Sequence, residues 1–268
     1  MIKFIASDMD GTLLGKDGKV SDEMFELINK LDDMGIRFAA ASGRFYSQLN
    51  KNFSKVSHDM IFIAHNGAFV KYNKNGQLLY SNEISKKNIK NVLDLKRSYG
   101  EELFLSAAEK AYIVNPTDKV MEEFRDFRVE AIVLNSFNEV DEPIYKLTYY
   151  VQNGVKDEIL DYLKNNLNEE LEFVVSGDKW IDIMNKGVSK GEAISKLQEK
   201  LNIDEKNTMV FGDYYNDLTM FKRAHYSYAM ENAPEDVKRH AKFIAESNIS
   251  NGVYKAISEK CLSEEKLA

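Results

Sequence analysis

The sequence predicts an α/β fold: a Rossmann-like core on a parallel sheet, interrupted by an inserted α+β domain. Three observations predict it. Short apolar runs stop abruptly at polar residues near both ends of the chain, at Ile2–Ala6 and Thr208–Phe211, as buried parallel strands do where they leave a sheet. Helical repeats alternate with such runs, which is the order of a βαβ unit. Roughly a hundred residues of different texture lie between these two stretches, more than a connecting loop carries.

The elements follow in order. After Ile2–Ala6, Ser21 caps a helix with Asp22 and Glu23 in its first turn; Met24, Leu27, Ile28, Leu31 and Met34 keep helical spacing, and Gly35 closes it. Ile36–Ala41 and Met60–Ala64 read as the next two strands. Phe69 to Tyr80 reads as two strands around an Asn75-Gly76 turn. Helical stretches are expected near Asn88–Ser98, Asp118–Asp126 and Lys156–Asn166. Lys146–Val151 and the pair Leu171–Ser176 and Lys179–Met184, around Gly177-Asp178, read as antiparallel strands. A helix from Lys190 to Leu201 leads into Thr208–Phe211, with short strands at Tyr226–Met230 and Phe243–Ala245 and a helix over Val253–Cys261. The boundaries expected from this texture are 1–81 for the first core segment, 82–184 for the insertion and 185–268 for the second core segment.

Composition removes several function classes. The 268 residues carry 36 Lys and Arg against 43 Asp and Glu, a net charge of −7, so the molecular field repels nucleic acid backbones and anionic lipid. No apolar run reaches the roughly 18 residues of a spanning helix, and Asp8 interrupts the N-terminal run too early for a signal peptide. Cys261 is the single cysteine, which points to a reducing, cytoplasmic setting. His58, His65, His225 and His240 show no paired metal spacing. Walker, Gly-x-Gly-x-x-Gly and Gly-x-Ser-x-Gly signatures are missing. The aromatic residues Phe104, Tyr112, Tyr149, Tyr150 and Trp180 read as packing of the insertion. Lys86-Lys87 and Glu264-Glu265-Lys266 read as solvated charge.

Four clusters carry chemistry. The first strand runs into Asp8-Met9-Asp10-Gly11-Thr12, which puts two carboxylates at the carboxyl edge where open α/β sheets build their sites; strand periodicity points both the same way. The second strand runs into Ser42-Gly43-Arg44, a hydroxyl and close backbone N–H groups that suit an anion. Lys190 is the first residue of a helix capped by a Ser189-x-x-Glu192 box, where a cation is locally unfavourable; it is either a solvated surface lysine, which tolerates this, or converges with the helix end on a bound anion. Gly212-Asp213-Tyr214-Tyr215-Asn216-Asp217 follows a later strand. If these ends are neighbours, Asp8, Asp10, Asp213 and Asp217 gather, and each like-charge pair ~4 Å apart costs about 4 kcal/mol at an effective dielectric of ~20. A cation must sit among them, and an all-oxygen donor set favours Mg²⁺ when a phosphate completes the shell.

These four clusters, in this order and at strand ends, resemble the four motifs of the haloacid dehalogenase superfamily. His65-Asn66-Gly67-Ala68, the long insertion and the Ala233-Pro234 to Val253 ending resemble its Cof-type phosphatases. The resemblance implies that the core is of that superfamily's Rossmann-like type and that the insertion is a cap. It further implies Asp8 as nucleophile, Asp10 as general acid and base, and Mg²⁺ held by Asp8, the Asp10 carbonyl and Asp213. Ser42, Gly43, Lys190 and Asn216 would then bind phosphate, and Asp217 would support the metal shell. Arg44 and Asn66 are the expected substrate contacts. The expected function is a Mg²⁺-dependent phosphomonoesterase acting through an aspartyl-phosphate on small phosphorylated metabolites, tilted toward sugar phosphates. No nucleic acid or membrane partner is expected, and the oligomeric state is open. A phosphomutase on the same core is the second reading; a phosphate-sensing or scaffold protein without catalysis is the third.

Overall fold

In the computed structural model, which describes residues 1–262, the chain forms two units. The first comprises Met1–Arg44, Leu49–Tyr80 and the chain from Ser189 onward; the second comprises Phe45–Gln48 and Ser81–Val188. The charge cluster Glu264-Glu265-Lys266 lies outside the described residues.

β1 (Phe4–Asp8) is buried along its whole length. α1 (Asp22–Asp33) starts where the Ser21 hydroxyl accepts the Met24 N–H at 3.3 Å, and it buries Met24, Leu27, Ile28 and Leu31. A Ser cap of this kind contributes about 1 kcal/mol. β2 (Arg37–Ala41), α2 (Tyr46–Asn52), β3 (Ile61–Ala64), β4 (Phe69–Tyr72) and β5 (Leu78–Ser81) follow. The next stretch holds α3 (Lys86–Leu93), β6 (Glu101–Ser106), β7 (Lys110–Val114), α4 (Asp118–Asp126), β8 (Glu130–Leu134) and β9 (Lys146–Val151). α5 (Asp157–Asn166), β10 (Leu171–Gly177) and β11 (Trp180–Asn185) complete it. The chain then forms α6 (Lys190–Leu201), β12 (Thr208–Gly212), α7 (Leu218–Phe221), β13 (Tyr226–Met230), α8 (Glu235–Lys238), β14 (Phe243–Ala245) and α9 (Gly252–Leu262).

The first unit is built on an eight-stranded sheet in the order β14-β13-β12-β1-β2-β3-β4-β5. Pairing is parallel from β14 to β3, and β4 joins antiparallel. β1 sits between β12 and β2, with Ser7 opposite Phe211 and Asp8 opposite Ala41. The chain winds away from β1 first through β2 and β3 and later, on its other side, through β12, β13 and β14. That reversal is the topological switch point where open α/β sheets bind ligands. The core combines Phe4, Ala6, Ile61 and Ile63 of the strands with Ile194 and Leu197 of α6, residues three apart on one helix face.

The second unit is a six-stranded sheet in the order β10-β11-β9-β6-β7-β8, antiparallel except for β7 beside β8. Leu103, Leu105, Leu147, Ile181 and Ile183 pack with Ile159 and Leu163 of α5 in one core. A smaller core joins Phe104, Tyr150 and Phe124 to Phe45, which lies far upstream in the chain. β9 and β11 also carry a buried ion pair, Lys146 Nζ to Asp182 Oδ2 at 3.1 Å, with the Thr148 hydroxyl donating to Asp182 Oδ1 at 2.8 Å.

Several local expectations shift. The helix expected over Asn88–Ser98 ends at Leu93. The 73–77 turn has its left-handed residues at Lys74 and Asn75, one position before the expected Asn75-Gly76. Gly76 is required there for closeness, since a Cβ would lie 2.6 Å from the Tyr72 Cβ. No helix among the described residues is long and apolar enough to cross a membrane.

Candidate active site

β1 delivers Asp8 to the carboxyl edge of the first unit's sheet, where the carboxylate is buried. Lys190, the first residue of α6, is fully buried, and its Nζ lies 2.5 Å from Asp8 Oδ1 and 2.7 Å from Asp217 Oδ1. The surface-lysine reading of this residue is therefore excluded. A cation at a helix N-terminus is accepted because two carboxylates face it, outweighing the unfavourable helix dipole. Ser189 caps α6 by accepting the Glu192 N–H at 3.1 Å. The Glu192 carboxylate, expected to close a capping box, lies instead near Lys196 at 3.6 Å and Arg223 at 3.9 Å.

β12 ends in Gly212 and Asp213. A Cβ at Gly212 would sit 2.4 Å from the Asp217 Cβ, so only glycine lets Asp217 fold back against the strand end. Asp217 Oδ2 accepts the N–H groups of Asp213 at 2.9 Å and Tyr214 at 3.1 Å, while Oδ1 receives Lys190. Both its oxygens thus hold the loop and the lysine. Asp213 Oδ1 accepts from the Thr12 hydroxyl at 2.8 Å.

Carboxylate oxygens of Asp8, Asp213 and Asp217 lie within 4.8 Å of one another. Burial raises the Asp8 pKa; Lys190 opposes that, and Asp217 and Asp213 add to it. Burial also pushes Asp213 up to about 6, with Thr12 pulling the other way and Asp217 reinforcing the rise. For Lys190, burial lowers the pKa, but Asp217 and Asp8 outweigh it and hold the ammonium charged. Three clustered carboxylates, two of them facing the one ammonium, leave excess negative charge in a largely buried, all-oxygen site. That donor set fits a hard divalent cation such as Mg²⁺.

Asp10 departs from the expected gathering. β1 ends at Asp8 and a helical turn over Met9–Leu13 follows, interrupted at Asp10 (φ −78°, ψ 120°) and the left-handed Gly11 (φ +79°), so the strand period that would have aimed Asp10 alongside Asp8 stops before it. The half-exposed Asp10 carboxylate receives Arg44, Nε at 2.8 Å to Oδ2 and Nη2 at 2.5 Å to Oδ1. Gly11 serves a second end, because a Cβ there would overlap the Asp213 carboxylate at 2.3 Å.

The loop after β2 is held from beneath by a strained turn. His65 (φ +49°), Asn66 (φ +55°) and Gly67 (φ +104°) are successive left-handed residues. The His65 N–H donates to the Arg44 carbonyl and the Asn66 N–H to the Ser42 carbonyl, each at 3.0 Å. The buried Ser42 hydroxyl accepts the Arg44 N–H at 3.2 Å. Asn66 Oδ1 accepts from Asn216 Nδ2 at 3.4 Å and lies where a Gly43 Cβ would approach to 3.1 Å. Asn66, Gly43 and Asn216 are thereby brought together. Two supporting contacts carried no separate signal in the sequence: Thr12 on Asp213, and Asn232 Nδ2 donating to the Gly11 carbonyl at 2.8 Å. Thr12 stands inside its motif, and Asn232 follows β13, which β12 separates from β1 in the sheet, so nothing in the chain order announces its contact with Gly11.

A sequence profile described as haloacid dehalogenase-like hydrolase matches residues 5–257. The chain is 30% identical over 267 residues to YbjI of Escherichia coli K12, covering 98% of this chain and 97% of that protein, which is named a 5-amino-6-(5-phospho-D-ribitylamino)uracil phosphatase. YcsE of Bacillus subtilis 168 carries the same name and is 29% identical over 257 residues, 96% of this chain and 94% of that protein. Among solved structures, SMU.1108c of Streptococcus mutans UA159 superposes with a TM-score of 0.86 at 31% identity, covering 98% of this chain and 100% of that one. BT1666 of Bacteroides thetaiotaomicron, described among phosphatases of this superfamily, gives a TM-score of 0.82 at 27% identity, covering 97% and 95%.

Proposed function

The chain belongs to the haloacid dehalogenase-like hydrolases and is a phosphatase of that family, and on that premise we propose a Mg²⁺-dependent phosphomonoesterase that works through an aspartyl-phosphate on Asp8. The observation that carries this reading is the buried group of Asp8, Asp213 and Asp217 around Lys190 at the switch point of the sheet. Lys190 engages Asp8 Oδ1, which leaves Oδ2 as the attacking oxygen. As Oδ2 bonds to phosphorus, the bond from phosphorus to the ester oxygen breaks, and Asp10 gives that oxygen a proton. Asp10 then takes a proton from water as the water attacks the acyl-phosphate, which releases phosphate and restores Asp8.

Ser42, already accepting from the Arg44 N–H, keeps its own O–H to donate to a phosphate oxygen. The Gly43 backbone and Asn216 are further donors, and Asn66 holds them in place. Asp8, the Asp10 carbonyl and Asp213 would hold Mg²⁺. When bound, the ion supplies charge that offsets repulsion between a carboxylate and a phosphate dianion.

The relatives' named substrate carries its phosphate on a five-carbon polyol attached to a pyrimidine, so 5-amino-6-(5-phospho-D-ribitylamino)uracil is the first substrate proposed, ahead of hexose and pentose phosphates. Phosphate release from these esters and from p-nitrophenyl phosphate, with Mg²⁺ and with a chelator, tests the reading. Turnover is expected only with Mg²⁺ and is expected to vanish in Asp8→Asn. Turnover that survives either treatment contradicts it.

A further inference from the structure

We propose that Arg44 is a positioning residue, holding the Asp10 carboxyl in the direction from which it exchanges protons; this rests on the acid–base role given to Asp10 above. Arg44 is expected from its loop to meet substrate, but its guanidinium is committed to Asp10. Nε and Nη2 reach the two Asp10 oxygens at 2.8 and 2.5 Å. That is the paired fork geometry in which a guanidinium fixes both the distance and the plane of a carboxylate.

Asp10 needs such a partner. Its side chain is 60% exposed, whereas that of Asp8 is 8% exposed. It also follows a break in the strand conformation, so neither packing nor the sheet orients it. Among the described residues, the side-chain contact recorded for its carboxylate is Arg44. Arg44 is itself anchored through its backbone on both sides: its N–H donates to the Ser42 hydroxyl at 3.2 Å, and its carbonyl accepts the His65 N–H at 3.0 Å. Two consecutive non-glycine residues, His65 and Asn66, stand in the left-handed region, and such strain persists where the surroundings over-determine it. Here it delivers the two N–H groups that fasten the Ser42-Gly43-Arg44 loop. The strained turn, the loop, the fork and the Asp10 carboxyl form one rigid chain of contacts, and a group held this way performs proton transfer without first having to be oriented.

The test compares two esters that depend unequally on a proton donor: an alkyl phosphate, whose alkoxide must be protonated to leave, and p-nitrophenyl phosphate, whose phenolate leaves readily without one. In Arg44→Ala, kcat/KM for the alkyl ester is expected to fall roughly a hundredfold, the scale of a general acid's contribution, and the ratio of alkyl to aryl kcat/KM to shift by at least about tenfold. Guanidinium in the buffer is expected to restore part of the alkyl activity, and Arg44→Lys to restore little, since an ammonium lacks the fork. Asp10→Asn is expected to shift the same ratio, and adding Arg44→Ala to it to change the ratio no further, because the two act as one unit. Equal losses on both esters, a change confined to KM, or additive losses in the double variant overturn the positioning role. If Asp10→Asn itself leaves the ratio unmoved, the acid–base reading of Asp10 fails, and this assignment falls with it.

Discussion

At the scale of single residues, the decisive feature is that Lys190 is both fully buried and shared between Asp8 and Asp217. Removing one member of a buried charge group strands the others without water, at a cost of about 3–5 kcal/mol. Lys190→Met is therefore expected to lower unfolding stability by about that much, measured by urea denaturation, as well as to abolish turnover. A loss below ~1 kcal/mol contradicts the strength ascribed to the pair. Asp213 allows a prediction with a definite sign. Burial lifts its pKa from 3.8 in the unfolded chain to about 6 in the folded one, so the folded chain holds a proton that the unfolded chain has lost. The stability this contributes is full below the unfolded value, fades as pH rises through about 6 and is gone above it. Without metal, the melting temperature of the native protein relative to Asp213→Asn should rise between pH 7.5 and pH 5 (roughly the span of this titration); a flat difference contradicts the assignment. In the proposed site Mg²⁺ would compete with that proton, so its stabilising effect in the same melts should be larger at the upper end of the range than at the lower.

At the scale of elements, the turn at residues 65–67 does work that no helix or strand does, and Gly67 shows how little freedom it has. An added Cβ would lie 2.3 Å from the Ser189 carbonyl oxygen, and the backbone is left-handed. Gly67→Ala should therefore combine conformational strain with displacement of the α6 cap, costing roughly 2–4 kcal/mol by denaturation. Gly18 is also left-handed but has nothing within 4 Å of its hypothetical Cβ, so Gly18→Ala should cost only about 1–2 kcal/mol; equal costs contradict the role of the clash. Elements of this kind differ in how far the sequence announces them. The expected helix from Lys190 to Leu201 coincides with α6, and the Asp118–Asp126 span of α4 also agreed with the expected helix. β6, β7 and β8 left no clear mark, because Glu101-Glu102, Lys110 and Glu130 open them with charge and β8 is only half-buried. Asp8, Lys190, Asp213 and Asp217 were legible because each follows a strand or starts a helix. The Arg44–Asp10 fork was not, since it depends on the strand ending at Asp8 and the chain turning at Met9 before it reaches Asp10.

At the scale of the whole molecule, each unit has hydrophobic packing of its own, and a single optical reporter sits against the smaller core of the second. Trp180 is the only tryptophan. Its ring lies 4.8 Å from Tyr150, 6.1 Å from Phe104 and 6.0 Å from Phe127, within the cluster that also contains Phe45. Tryptophan fluorescence should thus follow unfolding of the second unit, while far-ultraviolet circular dichroism follows both. Phe45→Ala, which empties a buried aromatic position, should destabilise the fluorescence-detected transition by about 3–5 kcal/mol; an unshifted transition contradicts the placement of Phe45 in that core.

Phe45–Gln48 has a consequence for how this architecture can be rebuilt. The backbone passes between the units four times, at 44/45, 48/49, 80/81 and 188/189, and the first two passages enclose only four residues. A graft that transplants residues 81–188 alone into another scaffold would arrive without its aromatic plug, and the donor chain would keep an orphaned phenylalanine. Exchange of the second unit by recombination must therefore carry both pieces, or supply a substitute for that ring.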